Sequence, residues 1–351
     1  MTEILHAPIH LAAGDVLEGR EFLLSPDFQC DPGFAAITAA PRAALRHVTL
    51  DSGYRTRPAR WGVWPEPTPL APGLPAQMVG IRADRAAELT IEDVAIRGMP
   101  AAGIDSGGGI HGAVLRKVRV RDCGKALIVR QHVPSERVLI EEWDTGDTWG
   151  EGDANDPPWN PPSRHRPGVA IGSDSIVLHS LRDSVVRKCI DSGETCRSMK
   201  VLNPIRCTFD GLQGSTFQIA GTTYENGMLD GQPEPYSTGS VLRNSTFDKA
   251  TGWGIVVMGG HGVNIAWNVA DFLFDGCTFR SGGYDGHGVQ QYGNTRCTYR
   301  RCVFVGWNRA NTFGGASPAY ALELKAGSVA NADFETANRF EGQLRRLLTS
   351  S

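Results

Sequence analysis

Residues 272–307, FLFDGCTFRSGGYDGHGVQQYGNTRCTYRRCVFVGW, say nearly the same thing twice: Cys277-Thr278-Phe279 returns as Cys302-Val303-Phe304 across a glycine-rich polar turn. Related triplets of a short apolar residue, any residue and a large apolar one stand at Val48-Thr49-Leu50, Val94-Ala95-Ile96, Val118-Arg119-Val120, Cys207-Thr208-Phe209 and Ser245-Thr246-Phe247, with Cys189-Ile190 as a weaker member. A unit of about two dozen residues fits. It covers the spacing of 24 from Val94 to Val118, reads the 46 from Val48 to Val94 as two units, and leaves the wider gaps to insertions.

Within each unit apolar and polar residues alternate, as in Val114-Leu-Arg-Lys-Val-Arg-Val120 and Val185-Val-Arg-Lys-Cys-Ile190, which is the period of a strand. Turns such as Asp191-Ser-Gly193 and Ser281-Gly-Gly283 separate them, in keeping with 42 glycines among 351 residues against a usual share of about 7%. Helical spacing shows only in the tail, Glu341–Leu348, where it predicts a closing cap. Short strands at this period, without the helices of a βαβ unit, imply a solenoid of parallel strands whose stacked coils share one core. The expected organisation is all-β and single-domain. Residues 1–44 form an N-terminal cap and first coil, 45–325 the coils, and 326–351 a C-terminal cap.

Residues 45–50, 89–130, 184–220 and 241–325 resemble the right-handed parallel β-helix of the pectin-lyase-like superfamily, which includes polysaccharide lyases, glycoside hydrolases and phage tailspike-like proteins. The motifs that carry the likeness are periodic and degenerate, so they specify a fold more sharply than a family. A β-propeller, the main rival, needs blades of roughly 40–45 residues with four strands each. Of the eight cysteines, 189, 207, 277 and 302 are expected on one interior rung position, as reduced, inert ladder residues. No C-x-x-C pair with partner histidines points to metal.

Three excursions interrupt the coils: 54–77, with Trp61 and Trp64; 144–168, with five acids, Trp149 and Trp159; and 222–240, with Tyr224. Insertions of this kind collect on a binding face, and aromatic rings beside charged groups suit a sugar chain. The acidic run in 144–168 offers ligands for Ca²⁺, although its spacing departs from an EF-hand loop.

A second part of the site comes from aligning Leu127–Arg130, Met199–Leu202, Phe217–Ala220, Ile255–Met258 and Val289–Tyr292. If Val129, Val201, Ile219 and Val257 point inward, then Arg130, Lys200, Gln218, Gln290 and Tyr292 form an outward row, with His132 just beyond Arg130. In β-elimination a base removes the proton α to a uronic carboxylate while a cation neutralises that carboxylate. The resemblance implies Lys200 as base and Arg130 as carboxylate partner or acid, assisted by His132 or Tyr292. Trp61, Trp64, Trp149, Trp159, Gln218, Tyr224 and Gln290 would hold substrate. Hydrolysis demands two carboxyl groups about 5–9.5 Å apart. Asp174, Asp191, Glu194, Glu225 and Asp230 are candidates, but the Asn-x-Asp and Asp-Asp motifs of polygalacturonase-like hydrolases are missing.

A net charge of −3 gives no general attraction to nucleic acid or anionic lipid. The chain shows no signal peptide and no apolar run long enough to span a membrane, so the expected location is cytoplasmic or virion-associated, unless a leader has been removed. Two readings follow. One is an enzyme that binds and cleaves an acidic polysaccharide, by elimination before hydrolysis. The other is a non-catalytic virion or phage-like spike, for which a homotrimer is a possible assembly, that binds a bacterial capsule or surface glycan.

Overall fold

A computed structural model describes residues 1–30, 34–53, 77–106, 108–129, 134–146, 174–191, 197–214, 217–221, 228–229, 232–233, 237–248, 263–266, 269–281, 288–292, 295–306, 320–325, 327–342 and 345–350. The chain is a right-handed parallel β-helix. One face is a twelve-stranded sheet, from Ile9–Leu11 to Arg345–Ser350, and a twenty-stranded sheet folds around the rest of the coil. Pairing between successive coils is parallel throughout, and the one helix among the described residues is the single turn Phe334–Ala337.

In the early coils the larger sheet is crossed by eight-residue strands, Ala44–Asp51, Thr90–Arg97 and Val114–Arg121. Each bends at one residue in the left-handed region, namely His47, Asp93 and Lys117. The same corner falls at Glu142, Lys188, Asn244 and Arg301, all with φ between 51° and 54°, and at Gly211 and Gly276. A non-glycine residue there costs roughly 1–2 kcal/mol. The burial of the residue that follows offsets it. That next residue is the repeat anchor: Val48, Val94 and Val118, then Trp143, Cys189, Leu212, Ser245, Cys277 and Cys302, all buried.

Three expectations need correction. Val48 pairs directly with Val94, so the spacing of 46 is one coil carrying an insertion, not two coils. Cys207 leaves the column of Cys189, Cys277 and Cys302: Thr208 pairs with Val185 and Val241, which puts Cys207 level with Ser184 and Ser240. Each coil has a second left-handed corner, at Glu88, Arg137, Asp183 and Arg206, with the same local grammar as the first. Finally, the tail is not helical. Arg339–Gly342 and Arg345–Ser350 are strands that add to both sheets, because Phe340 stacks on Phe304 and Leu347 continues the row of Leu322.

Phenylalanines fill the later coils. Phe247, Phe279, Phe304 and Phe340 stack in succession with ring centroids 6.4, 5.1 and 5.5 Å apart, and Phe274 lies on Tyr299 at 4.9 Å. The buried N–H groups that follow the second corner need acceptors, since an unpaired one is costly. Serines supply them: Val138 N–H donates to Ser184 Oγ at 3.1 Å and Cys207 N–H to Ser240 Oγ at 3.0 Å. The seven described cysteines are free thiols, and Cys196 lies outside the described residues. Burial pushes the thiols of Cys123 and Cys189 up to about 12 and that of Cys207 to about 11, which suits inert core residues.

On the outside of the larger sheet, Glu18, Arg46, Glu92, Arg116, Glu141, Arg187, Asp210, Arg243, Asp275 and Arg300 follow one another rung by rung, alternating in sign without a break. Glu141 is the buried centre of this ladder, held by Arg187 at 2.7 Å and Arg116 at 3.0 Å. The two guanidinium groups, Arg187 first, keep its carboxyl below the usual range.

Candidate functional site

The outward face of the twelve-stranded sheet carries the candidate site. Val129, Val201 and Ile219 are fully buried in one inward stack, as the alternation predicts, with Leu178 between the first two. The residues just before them form the outer row. From the N-terminal end its register runs Arg82, Asp105, Ile128, Val177, Lys200, Gln218, Asn264, Gln290, Glu323.

Polar character changes along this row. Arg82 reaches Asp105 at 3.7 Å. Ile128 and Val177 then interrupt with apolar surface. Lys200 and Gln218 sit half-buried on adjacent rungs, and the Oε1 atom of Gln218 is buried with no hydrogen-bond partner among the described residues. Gln290 Nε2 donates to Glu323 Oε2 at 2.6 Å, and Lys325 Nζ lies 3.1 Å from Glu323 Oε1. Glu323 is only 4% exposed although it stands on the outer face. With rungs about 4.8 Å apart, Lys200 and Glu323 are roughly 19 Å from each other along the axis.

Lys200, Gln218 and Gln290 thus share one row, separated only by the Asn264 rung. Tyr292 occupies a register position in the neighbouring row, level with Ala266. Arg130, His132, Trp61, Trp64, Trp149, Trp159 and Tyr224 lie outside the described residues, as does Ile255–Met258. The rung aligned above with Ile255–Met258 is filled by Val263–Ala266, which pairs with Phe217–Ala220 on one side and Val289–Tyr292 on the other. Of the acidic run in 144–168, only Asp144 is described, and Arg121 holds its carboxylate at 2.7 Å. Among the described residues no cluster of three histidine, cysteine or acidic side chains could hold a metal ion.

Sequence reasoning missed His179. Strand Asp174–His179 lies between Lys125–Val129 and Arg197–Leu202, which the alignment treated as consecutive. Its apolar run Ile176-Val-Leu178 has no polar alternation to mark a face. His179 is two residues beyond Val177, the partner of Lys200, so it is a diagonal neighbour of Lys200 on the same face. Glu323 was missed too, though Leu322 and Leu324 flank it with strand alternation.

The carboxylates described in this row do not form a hydrolytic pair. Asp105 and Glu323 stand seven rungs apart, about 34 Å.

No protein-family model and no curated protein sequence matches the chain. Solved structures do match. The catalytic unit of a thermostable GH87 α-1,3-glucanase from Streptomyces thermodiastaticus strain HF3-3 superposes with a TM-score of 0.53 at 10% identity, covering 99% of this chain and 63% of that one. A double mutant of the tailspike protein of E. coli bacteriophage HK620 gives 0.54 at 13%, covering 95% and 59%. Another tailspike double mutant, in complex with a pentasaccharide, gives 0.52 at 13%, covering 93% and 56%. The chain therefore spans about three fifths of the length of these neighbours. At such identities the likeness establishes the fold alone: this is a right-handed parallel β-helix, with a polar row on one sheet face.

Proposed function

We propose that the protein binds a polysaccharide laid along the outer row of the twelve-stranded sheet and cleaves it by β-elimination at a uronate seated on Lys200. The observation that carries this reading is Lys200 itself. It is half-buried on a sheet face beside Gln218, with His179 diagonal to it and no acidic residue at the register positions on either side, Val177 and Gln218. Elimination needs a cation against the carboxylate and a base for the α proton. An ammonium is ordinarily the charged partner near neutral pH and an imidazole the proton acceptor. Lys200 accordingly takes the carboxylate, in place of the base role that the resemblance implies for it, and His179 the proton. The C–H electrons form the new double bond as the glycosidic C–O bond breaks, and the departing oxygen takes a proton from solvent, because the strand of Tyr292 is three rungs, about 14 Å, from Lys200. A β-helix α-1,3-glucanase and a tailspike holding a pentasaccharide support a sugar chain as ligand.

Incubation with uronate-containing polysaccharides, followed by the ultraviolet absorbance of the unsaturated product, tests the reading. His179→Ala should abolish product while binding persists, and Lys200→Met should weaken both. A second reading, glycan binding without cleavage as in a virion spike, draws on the separation of Asp105 from Glu323, which leaves this row without a hydrolytic carboxyl pair. Measurable binding by the wild type with no unsaturated ends and no reducing ends would decide for it.

A further inference from the structure

The charge balance along the outer row narrows the class of polysaccharide. Among the described residues, Arg82 and Lys200 stand in the row and Lys325 two residues beyond it, while Lys125 and Arg197 begin the strands of Ile128 and Lys200, with Arg197 paired to Asp174. Of the first three, two are committed. Arg82 faces Asp105, which is 1% exposed, and Lys325 neutralises Glu323, which also takes the Gln290 amide. Within the row, Lys200 is the cation whose neighbouring positions, Val177 and Gln218, carry no acid; Asp174 on the adjoining strand is in register with Arg197 instead. On the described rungs beyond Lys200 come the Gln218 and Gln290 amides, about 14 Å from Lys200 to Gln290 on rungs about 4.8 Å apart, and then a carboxylate.

A polymer with a carboxylate on every sugar would have to lay several anions on this stretch. A carboxylate desolvated against an amide, without a cation, pays a large burial cost. Beside Glu323 it would find Lys325 already taken by that carboxylate, so no free cation among the described residues there would answer it. Hydroxyl and acetamido groups meet no such cost, because amides donate to them and accept from them. Gln218 Oε1, which has no hydrogen-bond partner among the described residues, is an acceptor suited to such a donor.

We infer that this row accepts a sparsely acidic heteropolysaccharide: one uronate at Lys200, and neutral sugars over the rungs from Gln218 to Gln290. The inference rests on the proposed function, since it takes this face as the glycan site.

Affinity electrophoresis and calorimetry with three polymers test it: deacylated gellan, with one glucuronate in each otherwise neutral repeat; polygalacturonate; and dextran. Gellan should bind, and polygalacturonate should bind at least about tenfold more weakly. Lys200→Met should reduce gellan to the level of dextran. The double variant Gln218→Lys, Gln290→Lys, checked for folding by its urea midpoint, should raise polygalacturonate affinity toward that of gellan. Polygalacturonate binding as tightly as gellan to the wild type overturns the inference and leaves the proposed function standing. Dextran binding as tightly as gellan, unchanged by Lys200→Met, overturns the single-uronate assignment while leaving glycan binding intact. Binding of none of the three by wild type or double variant overturns the inference and the proposed function together.

Discussion

Ser184 lies in the wall between two coils, where its Oγ accepts the Val138 N–H at 3.1 Å and donates to the Arg182 carbonyl at 2.7 Å. Ser184→Ala should cost about 1–3 kcal/mol in urea unfolding, since it strands a buried N–H. Ser184→Cys should cost less, because Cys207 holds the same position one coil on. Glu141 gives a second test. Its folded pKa lies below the ordinary 4.5, so its contribution is present in full above that value and is lost as pH falls through the lowered folded pKa. The stability gap between wild type and Glu141→Gln should therefore be widest at neutral pH and close in acid. Titrated denaturation curves measure it. Individual side chains were legible where alternation ran unbroken: Lys200, Gln218 and Gln290 fell on one outward row because their flanking valines and isoleucines marked the interior. His179 was hidden because its strand, lying between two others, bore no Cys-x-Phe flag to announce a rung.

The two corners of each coil explain what was legible about strands and what was not. A left-handed residue, a small buried one, any residue and a large buried one recur at both corners, so the period could be counted but not assigned to a corner. That is why Cys207 was placed one column away from its true neighbours. Insertions act the same way: nothing local to Val48 or Val94 reveals that the chain makes one circuit and not two between them. The stacked rings are less ambiguous. Phe279 touches Phe247, Phe274 and Phe304 within 6.4 Å between centroids. Phe279→Ala should cost about 3–5 kcal/mol, read as a fall in the urea midpoint, while Phe279→Leu keeps most of the volume and costs less.

Across the entire solenoid, the alternating ladder from Glu18 to Arg300 is neutral overall, ion-paired within the chain from Glu92 to Arg187 and between Asp210 and Arg243, and set on a different face from the proposed glycan row. An in-register, parallel meeting of copies through that face would set Arg against Arg and Glu against Glu, so a parallel homotrimer is expected to assemble through other surfaces. The backbone repeats with every coil, but the sign of the charge repeats only with every second one. The molecule therefore has a hidden period of two, and its length can change without electrical conflict only in even steps. Excising residues 115–139 removes one rung and brings Glu92 against Glu141; excising 91–139 removes two and returns Arg46 to Glu141. The shorter of these chains should unfold at the higher denaturant concentration, and added salt should narrow the difference.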